Sequence, residues 1–257
     1  MDKPARPQDE MWLGGSVYAF SRSNGLYWHK VSSFDDKFPS TIDVTSAQTV
    51  RSKLTCAHLC ATEDRCNSFF YNDVIKKCVT QWLVHFASWD AVDARGWRYF
   101  RLNSAACPHA QYYVVDIVTA TCYRGVLTYR LNWEKAREAC SDRNEMLVVL
   151  DPVEKAYFAR DSLTSGWPIA TASFYIGASR PTGQWNTVYP STGPNYVWLT
   201  GQAVNMTATQ PFWQPGKPDN SQKNGNVLRL AGAAQFAWDD TRETDSLGYI
   251  CEKPFYF

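Results

Sequence analysis

The sequence predicts an α+β fold built from two disulfide-bonded domains in tandem. Its 257 residues are enough for two domains that each bury a hydrophobic core. The eight cysteines fall into two groups of four, within 56–78 and within 107–251. Within each group, segments with helix-start signals alternate with short β-rich runs, which favours a mixed fold. The short polar stretch 101–106 separates the groups, so we place the domain boundary near residue 104.

The composition is that of a globular protein and excludes several classes of partner. Hydrophobic residues make up 45% of the chain and charged residues 20%. The net charge is +1, without a long run of one sign, which argues against nucleic acid or an anionic membrane as the main partner. The densest apolar run, 146–150, is far shorter than the ~18 residues of a membrane span. Aromatic residues reach 15%, and such rings are mostly packing residues.

The cysteines also indicate the compartment. An even number of grouped cysteines is typical of disulfides formed in an oxidising, extracellular environment. The N-terminal tail 1–12 is polar and has no signal-peptide core. We therefore expect a secreted glycoprotein of which this chain is a mature or truncated form. Asn205, in the sequon Asn-Met-Thr, is the candidate glycosylation site.

The first cysteine group predicts a helix joined to a β-hairpin. Residues 49–60 are expected to be helical, with Ser46 or Thr49 as the cap. Cys56 and Cys60 are four residues apart, so both sulfurs leave one face of that helix. The strands expected to follow are 66–71, 77–80 and 96–102.

A zinc site is the alternative interpretation of this group. Its spacings match no common zinc finger, and His58 lies on the far side of the helix from the cysteines, so disulfides are favoured. The pattern resembles a PAN/apple domain over about 13–103, which sets a first domain at 13–104. The resemblance implies bridges Cys56–Cys78 and Cys60–Cys66, and a role in binding proteins or glycans.

The second cysteine group encloses a longer αβ segment. Cys107 and Cys122 flank a β-rich stretch. Asn132 is expected to cap a helix over 133–140. A second helix is expected to start at Asp151, with proline at the first helical position and a capping glutamate. Three further elements follow, over 174–177, 237–240 and 248–252.

These elements, in this order, resemble a long-form C-type lectin-like domain from Cys107 to about Pro254, which sets a second domain at 105–257. The resemblance implies bridges Cys107–Cys122 and Cys140–Cys251. The further cysteine pair of most members falls at Val227 and Glu243 here. Glu243 must then be solvated or paired, because a lone buried carboxylate is costly.

The stretch FWQPGKPDN, 212–220, corresponds to the ligand loop of that family. In its sugar-binding members, calcium ligands come from a Glu-Pro-Asn or Gln-Pro-Asp triplet, a downstream glutamate, and an Asn-Asp pair after a tryptophan. The corresponding residues here are Lys217-Pro218-Asp219, then Gly225 followed by Asn226, and Asp239-Asp240 after Trp238. Two oxygen ligands are therefore missing, and calcium takes about six to eight oxygens.

Lys217 stands where an oxygen ligand is expected. Its ammonium group would repel a nearby cation and attract carboxylates. We interpret it as an internal counter-ion between Asp219 and Asp240, with calcium weak or absent and no cofactor required. If calcium did bind, its ligands would be Asp219, Asp239 and Asp240.

A scaffold role of the same stretch is the third interpretation. Trp213, Gly216 and Pro218 shape this loop even in members of the family that bind nothing, and Pro218 is a candidate cis proline. Trp213 and Trp238 are more typical of packing than of stacking on a ligand. The full set of candidate ligand-binding residues is Trp213, Lys217, Asp219, Asn220, Asn226, Trp238, Asp239 and Asp240.

The sequence predicts recognition rather than catalysis. It contains no nucleophile elbow, metal-binding histidine pair or phosphate loop. Asp239 and Asp240 do not form an acid–base pair, because adjacent strand residues point to opposite faces. We expect an extracellular adhesion protein that binds a protein or glycan without calcium, through the loop from about 186 to 226. The alternatives are a calcium-dependent lectin and a self-associating subunit of a matrix or fibre.

Overall fold

The computed structural model describes residues 16–17, 26–39, 46–82, 84–85, 91–104, 106–107, 113–166, 171–181, 196–220 and 225–255. These residues form two compact units. The first contains the described residues up to Trp82 and those of 91–104, and the second contains 84–85 and 106–255. Residues 84–85 therefore belong to the second unit, although they precede the expected boundary near 104.

The first unit is an antiparallel sheet with one helix. Its elements are β1 Ser16–Val17, β2 Leu26–Lys30, β3 Lys37–Pro39, β4 Ser46–Thr49, α1 Lys53–Thr62, β5 Ser68–Asn72, β6 Lys77–Gln81, β7 Ala91–Asp93 and β8 Trp97–Ser104. Six strands form a sheet in the order β1-β2-β8-β5-β6-β4, and β3 pairs with β7. An aromatic core of Phe34, Phe70, Val79 and Tyr99 is buried here.

Helix α1 begins later than the sequence suggested. Ser52 is its cap, and the Ser52 hydroxyl accepts the Thr55 N–H at 3.2 Å. The expectation of Ser46 or Thr49 as the cap was wrong, because 46–49 pair with β6 as an edge strand. Disulfides join α1 to its surroundings through Cys56–Cys78 and Cys60–Cys66, the pairs that the resemblance implied.

The second unit is a sheet with two helices. Its elements are β9 Val114–Asp116, β10 Thr121–Leu131, α2 Trp133–Ser141, β11 Met146–Leu147, α3 Val153–Gly166, β12 Phe174–Ser179, β13 Val197–Trp198, β14 Val227–Ala231, β15 Ala237–Thr241 and β16 Leu247–Pro254. The main strand order is β15-β14-β12-β16-β10-β9, while β11 pairs with β16 and β13 with β12. Strands β12 and β16 are parallel.

Of the two helix starts predicted in the second unit, one agrees with the structure and one does not. The Asn132 side chain accepts the Lys135 N–H at 2.9 Å, which confirms the predicted cap of α2. Helix α3 starts at Val153, two residues after Asp151, and the Pro152 carbonyl accepts the Lys155 N–H at 3.0 Å.

Two disulfides hold the second unit, Cys107–Cys122 and Cys140–Cys251, again the implied pairs. The core between α2 and the sheet includes Trp133, whose ring N–H donates to the Ile176 carbonyl at 3.0 Å. Among the residues described above, no helix is long and apolar enough to cross a membrane.

Candidate functional site

The stretch 212–220, which we call the Lys217 loop, lies along strand β15. The Gln214 N–H donates to the Trp238 carbonyl at 3.0 Å, which ties the loop to the strand. Gly216 adopts a φ of 78°, in the left-handed region that favours glycine, and the Lys217–Pro218 peptide is cis. The loop therefore turns back over the carboxylates of β15.

Asp240 is the acceptor that holds the turn. One of its carboxylate oxygens accepts the Asp219 N–H at 3.0 Å and the other accepts the Asn220 N–H at 2.8 Å. The Asn220 side chain in turn accepts the Gly225 N–H at 3.0 Å. A Cβ at Gly225 would lie 2.2 Å from the second Asp240 oxygen, so only glycine fits beside it. Asp240 thus holds the backbone of the loop in place through hydrogen bonds.

Lys217 lies between two carboxylates, those of the predicted partner Asp219 and of Asp239. Its ammonium nitrogen lies 3.0 Å from an Asp219 oxygen and 3.1 Å from an Asp239 oxygen. The predicted contact with Asp240 stays a prediction, and both Asp240 oxygens accept backbone N–H groups of the loop. Partial burial lowers the pKa of Lys217, whereas its contacts with Asp219 and Asp239 raise it, and the net shift is upward.

Asp239 has a second cationic partner that the sequence analysis missed. The Arg229 guanidinium donates twice to one Asp239 oxygen, at 3.0 and 2.6 Å. Arg229 lies directly opposite Asp239 in the β14–β15 pairing. The side chain of Asp239 is only 5% exposed, so two cations neutralise a nearly buried carboxylate. Only the register of the two strands, which sequence alone does not give, identifies this partner.

A cationic side chain lies between the carboxylates that a calcium ion would use. Calcium requires several oxygens that converge on one point. Here the point between Asp219 and Asp239 is taken by the Lys217 ammonium, and Arg229 neutralises Asp239 further. Within the described ranges, no three His, Cys, Asp or Glu side chains are placed to hold a metal ion.

Two of the predicted ligand-binding residues are buried and cannot contact a ligand. Trp238 and Asn226 both have 0% exposure. The Asn226 amide donates to Glu243 at 2.9 Å, which gives that carboxylate the partner it needs. Trp238 packs edge-on against Trp213, with ring centroids 5.6 Å apart. These two predictions were wrong because both side chains belong to the core below the loop.

Asp239 and Asp240 are also buried, at 3% and 6% exposure, so they support the loop from below. The predicted residues that remain accessible are Trp213, Lys217, Asp219 and Asn220. Trp213 is half-buried, and its ring N–H donates to the Thr209 hydroxyl at 3.1 Å. The accessible surface therefore offers one ammonium group, one carboxylate, one amide and a ring edge.

Asn205 lies in an exposed turn of the same unit. Its side-chain oxygen accepts the Ala208 N–H at 3.0 Å, and the residue itself is exposed. The remaining parts of the predicted ligand loop, 186–195 and 221–224, lie outside the described residues.

Comparison with protein families places a known domain over this region. Residues 129–253 match the family model of the lectin C-type domain. The match includes the Lys217 loop, β14 and β15. A C-type lectin domain therefore occupies this part of the chain.

Individual relatives are distant. The chain is 26% identical to the hepatic lectin of Gallus gallus over 135 residues, 52% of this chain and 55% of that protein. It is 22% identical to the C-type lectin domain family 4 member K of Homo sapiens over 166 residues, 64% of this chain and 40% of that protein. The chain thus spans about half the length of these curated relatives.

Solved structures with a related fold include the carbohydrate-recognition domain of cow CD23, determined in the presence of a GlcNAc2Man3 oligosaccharide. It has a TM-score of 0.43 and 21% identity, and the match covers 59% of this chain and 98% of that one. A calcium-independent type II antifreeze protein has a TM-score of 0.42 and 20% identity, and the match covers 58% and 94%.

Proposed function

We propose that this chain, which carries a C-type lectin domain over residues 129–253, is an extracellular recognition protein that binds a protein or glycan without calcium. Domains of this family are generally binding modules without catalytic activity. The observation that carries the proposal is the Lys217 ammonium, 3.0 Å from Asp219 and 3.1 Å from Asp239. An internal cation there replaces the charge that a metal ion would supply.

The internal cation has a consequence for ligand binding. In a metal-bridged site, the ion both orders the loop and coordinates the ligand. Here Asp240 orders the loop through two backbone N–H groups, so the fold of the loop is independent of metal. The ligand then meets Trp213, Lys217, Asp219 and Asn220 directly.

We further propose that the segment 13–104 contains a PAN/apple-like domain that adds contacts to the same ligand or to a second one. Support comes from the helix α1, which two disulfides join to the hairpin side of an antiparallel sheet. An extracellular location accords with the four disulfides, which persist in oxidising compartments.

Calorimetric titration of chelator-treated protein with calcium tests the main proposal. We expect no saturable heat up to millimolar calcium, and a melting temperature unchanged by the ion, because Lys217 and Arg229 repel it from Asp239. The matched control is Asp142→Asn, which removes an exposed charge away from the loop. Saturation near one ion per chain, lost in Asp239→Asn but kept in the control, would refute the proposal.

That outcome would favour a calcium-dependent, carbohydrate-binding lectin instead. One observation supports this second candidate: the Asp219 and Asp239 carboxylates converge on a single point, now occupied by the ammonium group. Rotation of Lys217 away from that point would free both. A glycan screen with and without chelator would then distinguish the two mechanisms, since only the metal-bridged site loses its ligand on chelation.

A further inference from the structure

The turn between β5 and β6 of the first unit exposes two adjacent aliphatic side chains. Val74 is 67% exposed and Ile75 is 57% exposed. Burial of an aliphatic side chain is favourable, so a folded protein gains nothing from holding two of them in water. We call Val74, Ile75, Lys76 and Lys77 the tip.

The tip is held in place by hydrogen bonds. The Asn72 side-chain oxygen accepts the N–H groups of Val74, at 2.8 Å, and Ile75, at 3.1 Å. The Asn72 amide donates to the Arg95 carbonyl at 3.0 Å. The Asp73 N–H donates to the Gly96 carbonyl at 3.1 Å. The backbone therefore presents Val74 and Ile75 outward in a fixed position, which lowers the entropy cost of binding.

Gly96 makes this arrangement possible. Its φ is 87°, a conformation that other residues rarely adopt. A Cβ there would lie 2.8 Å from a Val74 methyl group and 2.8 Å from the Asn72 side-chain oxygen. The backbone of the β7–β8 turn thus supports the tip from beneath.

Exposed cations surround the two aliphatic side chains. Lys76 and Lys77 belong to the tip itself and both are exposed. Exposed Arg51 follows Val50, whose N–H donates to the Lys76 carbonyl at 2.8 Å. Exposed Arg95 precedes Gly96.

Three acidic residues are described near the tip, fewer than the cations there: the Asp36 carboxylate accepts the Gly96 N–H at 2.7 Å, and the other two each face a cation. Asp73 pairs with Arg98, and Asp93 lies opposite Lys37 in the β3–β7 pairing. Lys76, Lys77, Arg51 and Arg95 therefore give the tip a local positive excess, which the net charge of +1 for the whole chain conceals.

We propose that the tip docks on a lipid bilayer that carries anionic headgroups. Val74 and Ile75 enter the boundary of the acyl chains, and the four cations meet the headgroups. This combination of a small apolar apex with basic residues around it is what an interfacial site requires. Each Lys or Arg near such a surface strengthens binding about fivefold. A soluble polyanion would use the cations but not the aliphatic apex, and an apolar protein groove would use the apex but not the cations.

Co-sedimentation of the full chain with vesicles tests the proposal. We expect binding to phosphatidylcholine vesicles that contain phosphatidylserine, and little binding to phosphatidylcholine alone. Val74→Asp/Ile75→Asp is expected to reduce the partition coefficient at least tenfold, and Lys76→Glu/Lys77→Glu by a similar factor. Val74→Leu/Ile75→Leu should retain binding, which separates apolar insertion from a change in the turn.

The matched control is Tyr129→Asp, at a side chain of the second unit that is 71% exposed, and it should bind as the wild type does. Melting temperatures of all variants establish that they fold. The proposal fails if the wild type ignores phosphatidylserine. It also fails if Val74→Asp/Ile75→Asp binds normally, which would show that the cations alone bind the headgroups without insertion of the aliphatic side chains. Because the tip and the Lys217 loop lie in different units, this result is independent of the calcium titration.

Discussion

Asp239 and Asp240 are neighbours in the chain, yet their carboxylates have different roles. Both carboxylates contact the turn 217–220, but they meet different groups of it. Asp239 meets the cations Lys217 and Arg229, whereas Asp240 meets the backbone N–H groups of the loop. Asp239 therefore balances the charge of the two cations, and Asp240 holds the loop. A mutation of one residue can test one role without the other.

Gly225→Ala tests the role of Asp240. The added methyl group would displace the Asp240 carboxylate from the Asp219 and Asn220 N–H groups, because a Cβ there would lie 2.2 Å from it. We expect the free energy of unfolding to fall by about 1–3 kcal/mol, the cost of charged hydrogen bonds lost on burial. Hydrogen exchange at the amides of 219 and 220 should become faster.

The matched control is Gly201→Ala. Gly201 also has a positive φ, 86°, but nothing lies within 4 Å of a Cβ there. This variant should lose stability through backbone strain while the two amides exchange at the wild-type rate. Equal exchange in Gly225→Ala would show that Asp240 does not hold the loop.

At the scale of elements, the contact between α3 and β16 contains a buried ion pair. The Lys155 ammonium lies 2.8 Å from a Glu252 oxygen, and both side chains are largely buried. Burial raises the pKa of Glu252, while Lys155 opposes that shift and lowers it, and the net shift is upward. Asp116 on β9 behaves likewise: burial raises its pKa, and Lys155 is among the groups that lower it. The Lys155 ammonium thus opposes the burial-induced rise in pKa of two carboxyl groups, Glu252 and Asp116.

This arrangement predicts a pH dependence of stability. A carboxyl with a raised folded pKa holds its proton more tightly in the native than in the unfolded state, so stability falls as pH rises. The free energy of unfolding of the wild type minus that of Glu252→Gln should therefore fall from about pH 4.3, the unfolded value of glutamate, up through the raised folded pKa. Urea unfolding at a series of pH values measures the difference.

Lys155→Met provides the control, because loss of the ammonium removes an influence that lowers the Glu252 pKa. In that background the same fall should extend to higher pH. A difference that rises with pH would contradict the assigned direction.

At the scale of the whole molecule, the sequence predicted the features that depend on cysteine spacing and one of the helix caps. The cysteine groups, the caps at Asn132 and the order of elements in the second unit are all local patterns. It did not predict that Lys217 and Arg229 both contact Asp239, since that depends on the β14–β15 register. The sequence did not predict the burial of Asn226 and Trp238 either. Residues in a core below a long loop do not recur at a regular spacing in the sequence.

The unit boundary gives a prediction at this scale. Val84 and His85 are 1% and 2% exposed and belong to the second unit, outside a fragment that starts at 105. We expect fragment 105–257 to fold with both disulfides but to be less stable than the second unit of the full chain, by about 1.5–3 kcal/mol for the lost valine burial. Denaturation of both proteins, followed by Trp fluorescence, measures the difference.

Val84→Ala is the companion variant. It should weaken the second unit in the full chain by removing the same contact. A fragment as stable as the unit in the full chain would show that residues 84–85 contribute nothing to it.

The Cys140–Cys251 disulfide also has a mechanical consequence. The two cysteines are 111 residues apart, and the whole Lys217 loop lies between them. Tension applied along the backbone passes through the sulfur–sulfur bond from α2 to β16, so the enclosed segment cannot be pulled out while the bond is intact. A protein that adheres under flow would thus keep its recognition loop outside the path of the load.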